Sequence, residues 1–348
     1  MKKTILASAL VAFSITGNAI ARDQIKIVGS STVYPFATVV AERFGKTSGF
    51  KTPVIESTGS GGGLKLFCKG LGTAYPDITN ASRRIKPREV KNCEKNGVTD
   101  ITEIKVGFDG IAVANAKAGP SLKLSLKDIY LALAKEVPAD ENGNTVKPNP
   151  YKTWNEVNSS LPNAPIVVIG PPPTSGTRDA FNELAIERGC KKFSGRKALK
   201  KKDKRLYKVQ CRSIREDGPY IEAGENDNLI IEKLLADPGA LGAFGYSFLD
   251  QNRDKVKAAE VDGVLPEFEA ISSGKYPISR SLFFYVKNAH AGVIPGIKEY
   301  VKEFTSSKAI GNDGYLVSKG LIPLSEDLRA KFEEDGKKLN KFDSKVLK

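Results

Sequence analysis

The chain has 348 residues, a length that suits two domains of ordinary size, and it carries 54 Lys and Arg against 40 Asp and Glu, a net charge of +14. That balance points to an anionic partner without saying which one. A single histidine, His290, restricts enzyme mechanisms, because a Ser–His–Asp or Cys–His arrangement would have to use it, and it lies in a polar turn that reads as a surface loop.

The chain opens as a signal peptide. Lys2 and Lys3 precede an apolar stretch from Ile5 to Ile15, and Ala19-Ile20-Ala21 has the small-x-small pattern of a cleavage site, so residues 1–21 are expected to leave a mature start at Arg22. The apolar stretch falls short of the roughly 20 residues of a membrane span. Cleavage removes two lysines and no acid, giving +14 − 2 = +12. No cysteine sits at the cleavage site, so no lipid anchor is expected there, and no later segment is long and apolar enough to span a membrane. The mature chain is expected to be exported and soluble, and export weighs against nucleic acid as the anionic partner.

In chain order, Ile25–Val28 reads as a strand ending at Gly29-Ser30-Ser31-Thr32, with a helix over Phe36, Val39, Val40 and Phe44. Val54-Ile55 is a second strand, followed by Ser57-Thr58-Gly59-Ser60-Gly61-Gly62-Gly63 and a helix from Leu64. Asn80-Ala81-Ser82-Arg83 leads to a helix over Pro87–Cys93, and Ile104–Val113 reads as a strand interrupted at Asp109-Gly110. A second lobe begins near Asn115, with a helix opened by Ser125, a strand over Ile166–Ile169, and Thr174-Ser175-Gly176-Thr177-Arg178 starting another helix. Residues 191–208 form a lysine-rich stretch, read as a solvated surface excursion or, more sharply, as a docking patch for an anionic surface. A helix over Leu229–Leu235, strands over Gly242–Phe248 and Leu282–Val286, and helices over Ile297–Phe304 and Leu328–Phe332 complete the chain. Alternating strands and helices imply α/β architecture with a largely parallel sheet.

Four cysteines, Cys68, Cys93, Cys190 and Cys211, form an even set in an exported chain and read as disulfides. Of the three possible pairings, Cys68–Cys93 with Cys190–Cys211 keeps each bridge local. A zinc site fits less well, since there is no CxxC pair and the only histidine is distant.

Three strands end in small hydroxyl and glycine residues immediately before a helix: Gly29-Ser30-Ser31-Thr32, Gly59-Ser60-Gly61-Gly62-Gly63 and Thr174-Ser175-Gly176-Thr177. The first amides of a helix have no acceptor within it, and the helix dipole adds positive potential at that end. Glycine admits an oxyanion to the backbone, and hydroxyls add donors. Any one such end is an ordinary cap, but a cluster can hold a tetrahedral anion.

With these three ends, Gly29-Ser30-Ser31-Thr32-Val33-Tyr34-Pro35-Phe36, Asn80-Ala81-Ser82-Arg83, Phe108-Asp109-Gly110-Ile111-Ala112-Val113, Ser175-Gly176-Thr177-Arg178 and Gly239-Ala240-Leu241-Gly242 occur in one order over nearly the whole mature chain. In these the chain resembles the phosphate-binding proteins of high-affinity phosphate ABC importers. The resemblance implies a two-lobed, type II periplasmic binding protein: each lobe a mixed, mainly parallel sheet flanked by helices, the two joined by a two-strand hinge. Lobe I would comprise residues 22–113 plus 258–348 and lobe II residues 114–257, with hinge strands near Ile111–Asn115 and Leu249–Ala258. It further implies inorganic phosphate held by Ser31, Thr32, the Val33 amide, Ser60, Ser175, Gly176 and Thr177, and delivered to membrane permease subunits of an ABC importer. No cofactor, metal or catalytic residue is implied, and with no sustained heptad in the sequence a monomer is expected.

The chain departs from the family twice. Arg83 stands where many members have aspartate, and Pro171 where many have arginine. Arg83 and Arg178 are expected to supply the guanidinium fork, and Asp109 the carboxylate that accepts the proton hydrogen phosphate carries and sulfate lacks. The same helix ends could serve sulfate, molybdate or a phosphonate. A secreted phosphatase and a polyanion binder using residues 191–208 are the readings from other classes.

Overall fold

The structure, a computed structural model, describes residues 22–224 and 227–347, so the expected signal peptide lies outside the described residues. Nine strands form one continuous sheet: β1 (Lys26–Gly29), β2 (Val54–Ser57), β3 (Ile78–Ala81), β4 (Ile101–Ala116), β5 (Val168–Gly170), β6 (Tyr220–Glu222), β7 (Leu241–Gly245), β8 (Val256–Ala258) and β9 (Ser279–Lys287). Their order is β2-β1-β3-β9-β4-β7-β5-β6, with β8 also paired to β4. β1 runs parallel to β2 and β3, and β5 parallel to β6 and β7, while β4 is antiparallel to β9, β7 and β8. The fold is therefore α/β with a mixed sheet, built as two parallel blocks that share one strand.

That shared strand is not interrupted at Asp109-Gly110 as the sequence suggests. β4 continues for 16 residues, roughly 54 Å of extended chain. Its residues up to Gly110 pair with β9, and those from Ile111 onward pair with β7 and β8. Gly110 serves packing here: a Cβ would stand 3.0 Å from Ile271 Cδ1. The other strand expected to reach Phe248 stops at Gly245, and Tyr246–Gln251 turns into a helix.

Helices cover both faces. α1 (Tyr34–Thr47) follows β1 with Pro35 in its first turn, a position where the missing amide costs nothing, and buries Phe36, Val40 and Phe44 at helical spacing. α2 (Ser60–Phe67) follows β2, and α3 (Pro87–Lys95) follows β3. α4 (Leu126–Leu133) is capped by Ser125, whose Oγ accepts from the Asp128 amide at 3.0 Å. α5 (Gly176–Phe181) follows β5 and continues without a break through a π turn to Cys190. The lysine-rich stretch, expected as a solvated surface excursion, is built of two helices, α6 (Ser194–Lys202) and α7 (Lys204–Arg212). α8 (Asp227–Ala236), α9 (Ile297–Thr305) and α10 (Glu326–Lys338) complete the main set. Among the described residues no helix is long and apolar enough to cross a membrane.

The main core runs through both blocks, from Ile27, Val40 and Phe44 to Ile169, Phe181 and Leu234. A smaller one gathers Leu64, Phe67, Val90, Phe283 and Tyr285 around the Cys68–Cys93 bridge. Both expected disulfides are present, the second being Cys190–Cys211. His290 is not on the surface: it is 3% exposed, its Nε2 accepts from the Gly72 amide at 3.0 Å, and its Nδ1 lies 2.7 Å from Asp77 Oδ1. An accepting Nε2 puts the ring proton on Nδ1, where it donates to Asp77. Arg22 also binds Asp77, so His290 joins a buried network that fastens the start of β1.

Candidate functional site

The site is assembled where β1, β2, β3 and β5 deliver their ends. β1 closes in Gly29 at φ +135°, and a Cβ there would strike the Asn80 carbonyl, so only glycine lets the chain turn tightly into the first helix. In that turn Ser30 Oγ accepts from the Thr32 amide at 3.2 Å and the Val33 amide at 3.4 Å, holding the α1 N-terminus in one conformation. α2 starts at Ser60 and lies so close to β1 that a Cβ on Gly63 would meet Gly29 Cα at 2.4 Å. Ser60 Oγ accepts from the Ser82 amide at 3.0 Å and lies 3.1 Å from Ser82 Oγ, which joins the second end to the turn after β3. α5 starts under a Ser175 cap, Oγ accepting from the Thr177 amide at 3.2 Å. Gly176 faces the first end across the sheet's two blocks, its Cβ direction 3.6 Å from the Ser31 carbonyl oxygen.

At the centre stands a residue that sequence reasoning missed. Arg280, near the start of β9, is opposite Asp109 in the β4 register. Its Nε donates to Asp109 Oδ2 at 3.1 Å, and Nη1 donates to Ser82 Oγ at 3.3 Å and to Glu183 Oε2 at 3.2 Å. Nη2 donates to Thr32 Oγ1. The Arg280 side chain is 7% exposed and that of Asp109 13% exposed. A guanidinium so withdrawn from water needs this many partners to offset its desolvation. Glu183 approaches from the helical run that α5 begins, so the ion pair spans the two blocks. Arg188, one turn further on, donates to the Pro277 carbonyl, and burial, with Arg280 nearby, holds its pKa below the usual arginine value.

The structure thus brings together Ser31, Thr32, Val33, Ser60, Asp109 and the Ser175-Gly176-Thr177 start, and adds Arg280, Ser82 and Glu183. The two expected arginines lie beside helix starts of the cluster, Arg83 next to Gly61 and Arg178 directly after Thr177, and each is paired with other groups. Arg83 is forked onto Glu89 at 2.8 and 2.9 Å, and Glu89 in turn caps α3. Arg178 has its guanidinium carbon 4.0 Å from the centre of the Tyr220 ring and donates to the Pro171 carbonyl at 3.0 Å. Asp109 is ion-paired instead of free to face a ligand alone. Ser82 was legible inside Asn80-Ala81-Ser82-Arg83, but Arg280 gave no local signal, being a polar residue at the edge of an apolar strand. Chemically the cluster offers hydroxyls, helix-start amides and one guanidinium, which is ion-paired with two carboxylates, Asp109 and the half-exposed Glu183. That donor set suits a small oxyanion. Among the described residues no group of three or more His, Cys, Asp or Glu side chains is placed to hold a metal ion.

Comparison with known proteins agrees with this architecture. Residues 14–308 match the family model described as PBP superfamily domain. Protein SphX of Synechococcus elongatus is 32% identical over 293 residues, covering 82% of this chain and 75% of that protein. The phosphate-binding protein PstS of Staphylococcus saprophyticus is 27% identical over 288 residues, covering 80% of this chain and 75% of its own. A solved structure of a possible phosphate binding protein from Planctomyces limnophilus superposes with a TM-score of 0.72 at 26% identity, covering 91% of this chain and 99% of that one. With its shared central strand, its paired parallel blocks and a match over most of its length, the chain belongs to the PBP superfamily.

Proposed function

We propose that the protein is an exported receptor that binds inorganic phosphate between two lobes and presents it to the permease subunits of an ABC importer. The observation that carries this reading is the convergence of three helix starts from both sheet blocks, two of them tied to one buried arginine through Thr32 and Ser82 and the third facing Ser31. Relatives named as phosphate-binding proteins at comparable coverage supply the ligand's identity. The lobes are residues 22–113 with 258–348, and residues 114–257. The division of β4 pairing at Gly110/Ile111 supports a hinge there. Cleavage after Ala21 would leave a monomer in the periplasm.

In this reading Thr32 Oγ1, Ser60 Oγ, the Val33 amide and the Ser175-Gly176-Thr177 start surround the anion, with Ser31 beside Thr32. Arg280 takes the charge-pairing role expected of Arg83 and Arg178, which then hold the α3 start and the β5–β6 edge in place. Asp109 accepts the phosphate proton while remaining anchored by Arg280. Sulfate, with no proton to offer, meets only a lone pair there and is repelled.

Calorimetric titration of the anion-stripped protein (residues 22–348) tests this. Tight one-to-one phosphate binding is expected, undisturbed by excess sulfate, and Asp109→Asn should lose the discrimination by about tenfold or more, since one buried hydrogen bond to charge contributes about 1.5–3 kcal/mol. Equal competition by sulfate in the unmodified protein would assign the cleft to another oxyanion.

A further inference from the structure

The α6–α7 hairpin is firmly held on one side and bare on the other. On the inner side Tyr207 and Cys211 are buried, and Cys211 is bridged to Cys190. Arg196 is buried too and donates to the Asn144 carbonyl at 2.6 Å and to Gln210 at 2.6 Å. Lys200 and Arg212 both reach Glu187, at 2.5 Å in each case, and the two cations draw its pKa below the usual carboxylate value against the upward push of burial. These contacts account for the fold of the hairpin without its outward cations.

Lys197, Lys201, Lys202, Lys204, Arg205 and Lys208 are exposed and have no ion pair among the described residues. Between positions 191 and 212 the only acid is Asp203, and its carboxylate is spent on the α7 start, accepting from the Arg205 and Leu206 amides at 2.9 Å. Leu206 (44% exposed) and Val209 (57% exposed) stand three residues apart on the outer side of α7, among those cations. A short helix with an aliphatic ridge flanked by lysines has the character of an interfacial element, the ridge entering the acyl boundary and the cations meeting headgroups.

We propose that the outer face of α6–α7 docks on the surface of an anionic lipid bilayer. The composition of the face favours lipid over a protein partner. Five of the six cations are lysines, compact and strongly hydrated charges on flexible stems, which suit a diffuse anionic surface better than the fixed geometry of carboxylates, where arginine forks predominate. Nucleic acid is disfavoured because the hairpin's two aromatic rings, Phe193 and Tyr207, are buried and unavailable for stacking. Of the hairpin's side chains, Arg212 reaches Glu183 of the anion cluster at 3.4 Å, whereas none of the six outward cations is bonded to a cluster residue among the described residues.

The test is co-sedimentation of the protein (residues 22–348) with phosphatidylcholine vesicles, with and without phosphatidylglycerol, at low and raised salt, beside a triple charge reversal, K201E/K202E/K204E, and the double variant L206S/V209S. Binding is expected only with phosphatidylglycerol and weakened by salt. The triple variant should bind about tenfold or more weakly, given the attraction of each cation to an anionic leaflet, and the double variant should bind more weakly at every salt concentration. Unchanged phosphate titration and circular dichroism would show that both variants are folded. No binding to phosphatidylglycerol vesicles, equal binding to phosphatidylcholine alone, or undiminished binding by the folded triple variant would overturn the proposal. Capture of detergent-solubilised permease by the native protein but not by the triple variant, with no vesicle binding, would overturn it in favour of an acidic protein face.

Discussion

Arg280 joins four neighbours that lie far apart in sequence: Asp109, Ser82, Glu183 and Thr32, the last of them 248 positions away. Its cross-strand partner Asp109 sets the direction of the fork, and the hydroxyls of Thr32 and Ser82 are aligned by its remaining donors. Replacing it leaves Asp109 largely buried without a counter-charge. Arg280→Met is therefore expected to weaken phosphate binding by about a hundredfold, equivalent to about 2.7 kcal/mol, which lies within the range for charge-assisted hydrogen bonds. Arg280→Lys, which keeps the charge but loses the fork, should fall between the two. Calorimetric titration reads both, and native-like affinity in Arg280→Met would remove this residue from the site. Arg83, expected as a ligand contact from its place in a family motif, is forked onto Glu89, six residues ahead on the next helix.

Among the elements, the helix starts were legible because their chemistry is local. A strand that ends in Gly-Ser-Ser-Thr or Ser-Gly-Thr before an apolar-periodic segment states its own cap and its own exposed amides. The length of β4 was not legible, because Asp109-Gly110 looks like a break until β9 and β7 are seen to pair on either side of it. The helical character of the lysine-rich stretch was hidden for a related reason: Tyr207, Cys211 and Arg196 reveal an inner face only when a neighbouring helix is there to receive them. The Cys190–Cys211 bridge closes that hairpin over a separation of 21 residues. The C190S/C211S double variant should lose about 3 kcal/mol of stability in the chain-entropy picture, read as a lowered urea midpoint, while phosphate affinity changes little. A large loss of affinity instead would mean that the bridge holds the α5 start in register.

At the scale of the whole molecule, the two sheet blocks are bridged beside the anion cluster by Arg280 with Glu183 and Arg188 with the Pro277 carbonyl, with Gly176 near Ser31, and away from it by Arg253 with Glu267 and Lys192 with Asp262. Glu183 is 46% exposed on its side chain and is shared with Arg212 at 3.4 Å, so its pairing across the blocks is screened by water and weak. A dianion touching both blocks would add the missing attraction and shift the population toward closure. Small-angle scattering should show a smaller radius of gyration with phosphate than without it. Glu183→Gln should keep that compaction and bind phosphate a few-fold more tightly, about 1 kcal/mol, because a like charge has been removed from beside the anion. Weaker binding by Glu183→Gln would mean that the carboxylate itself contacts the ligand.

The sequence by itself determined what depends on neighbours along the chain: the α/β alternation, the three anion-suited helix starts, the two local disulfides and the expectation of an oxyanion ligand. Only the tertiary structure decided which charge stands at the centre, that β4 is one strand serving two blocks, that His290 is buried on Asp77, and which side of the basic hairpin faces water. The physical reason is common to all four. Local periodicity and capping are written in residues a few positions apart, whereas strand register and ion-pair choice arise from contacts between separate segments, from the 52 positions between Arg196 and Asn144 to the 171 that separate Asp109 from Arg280.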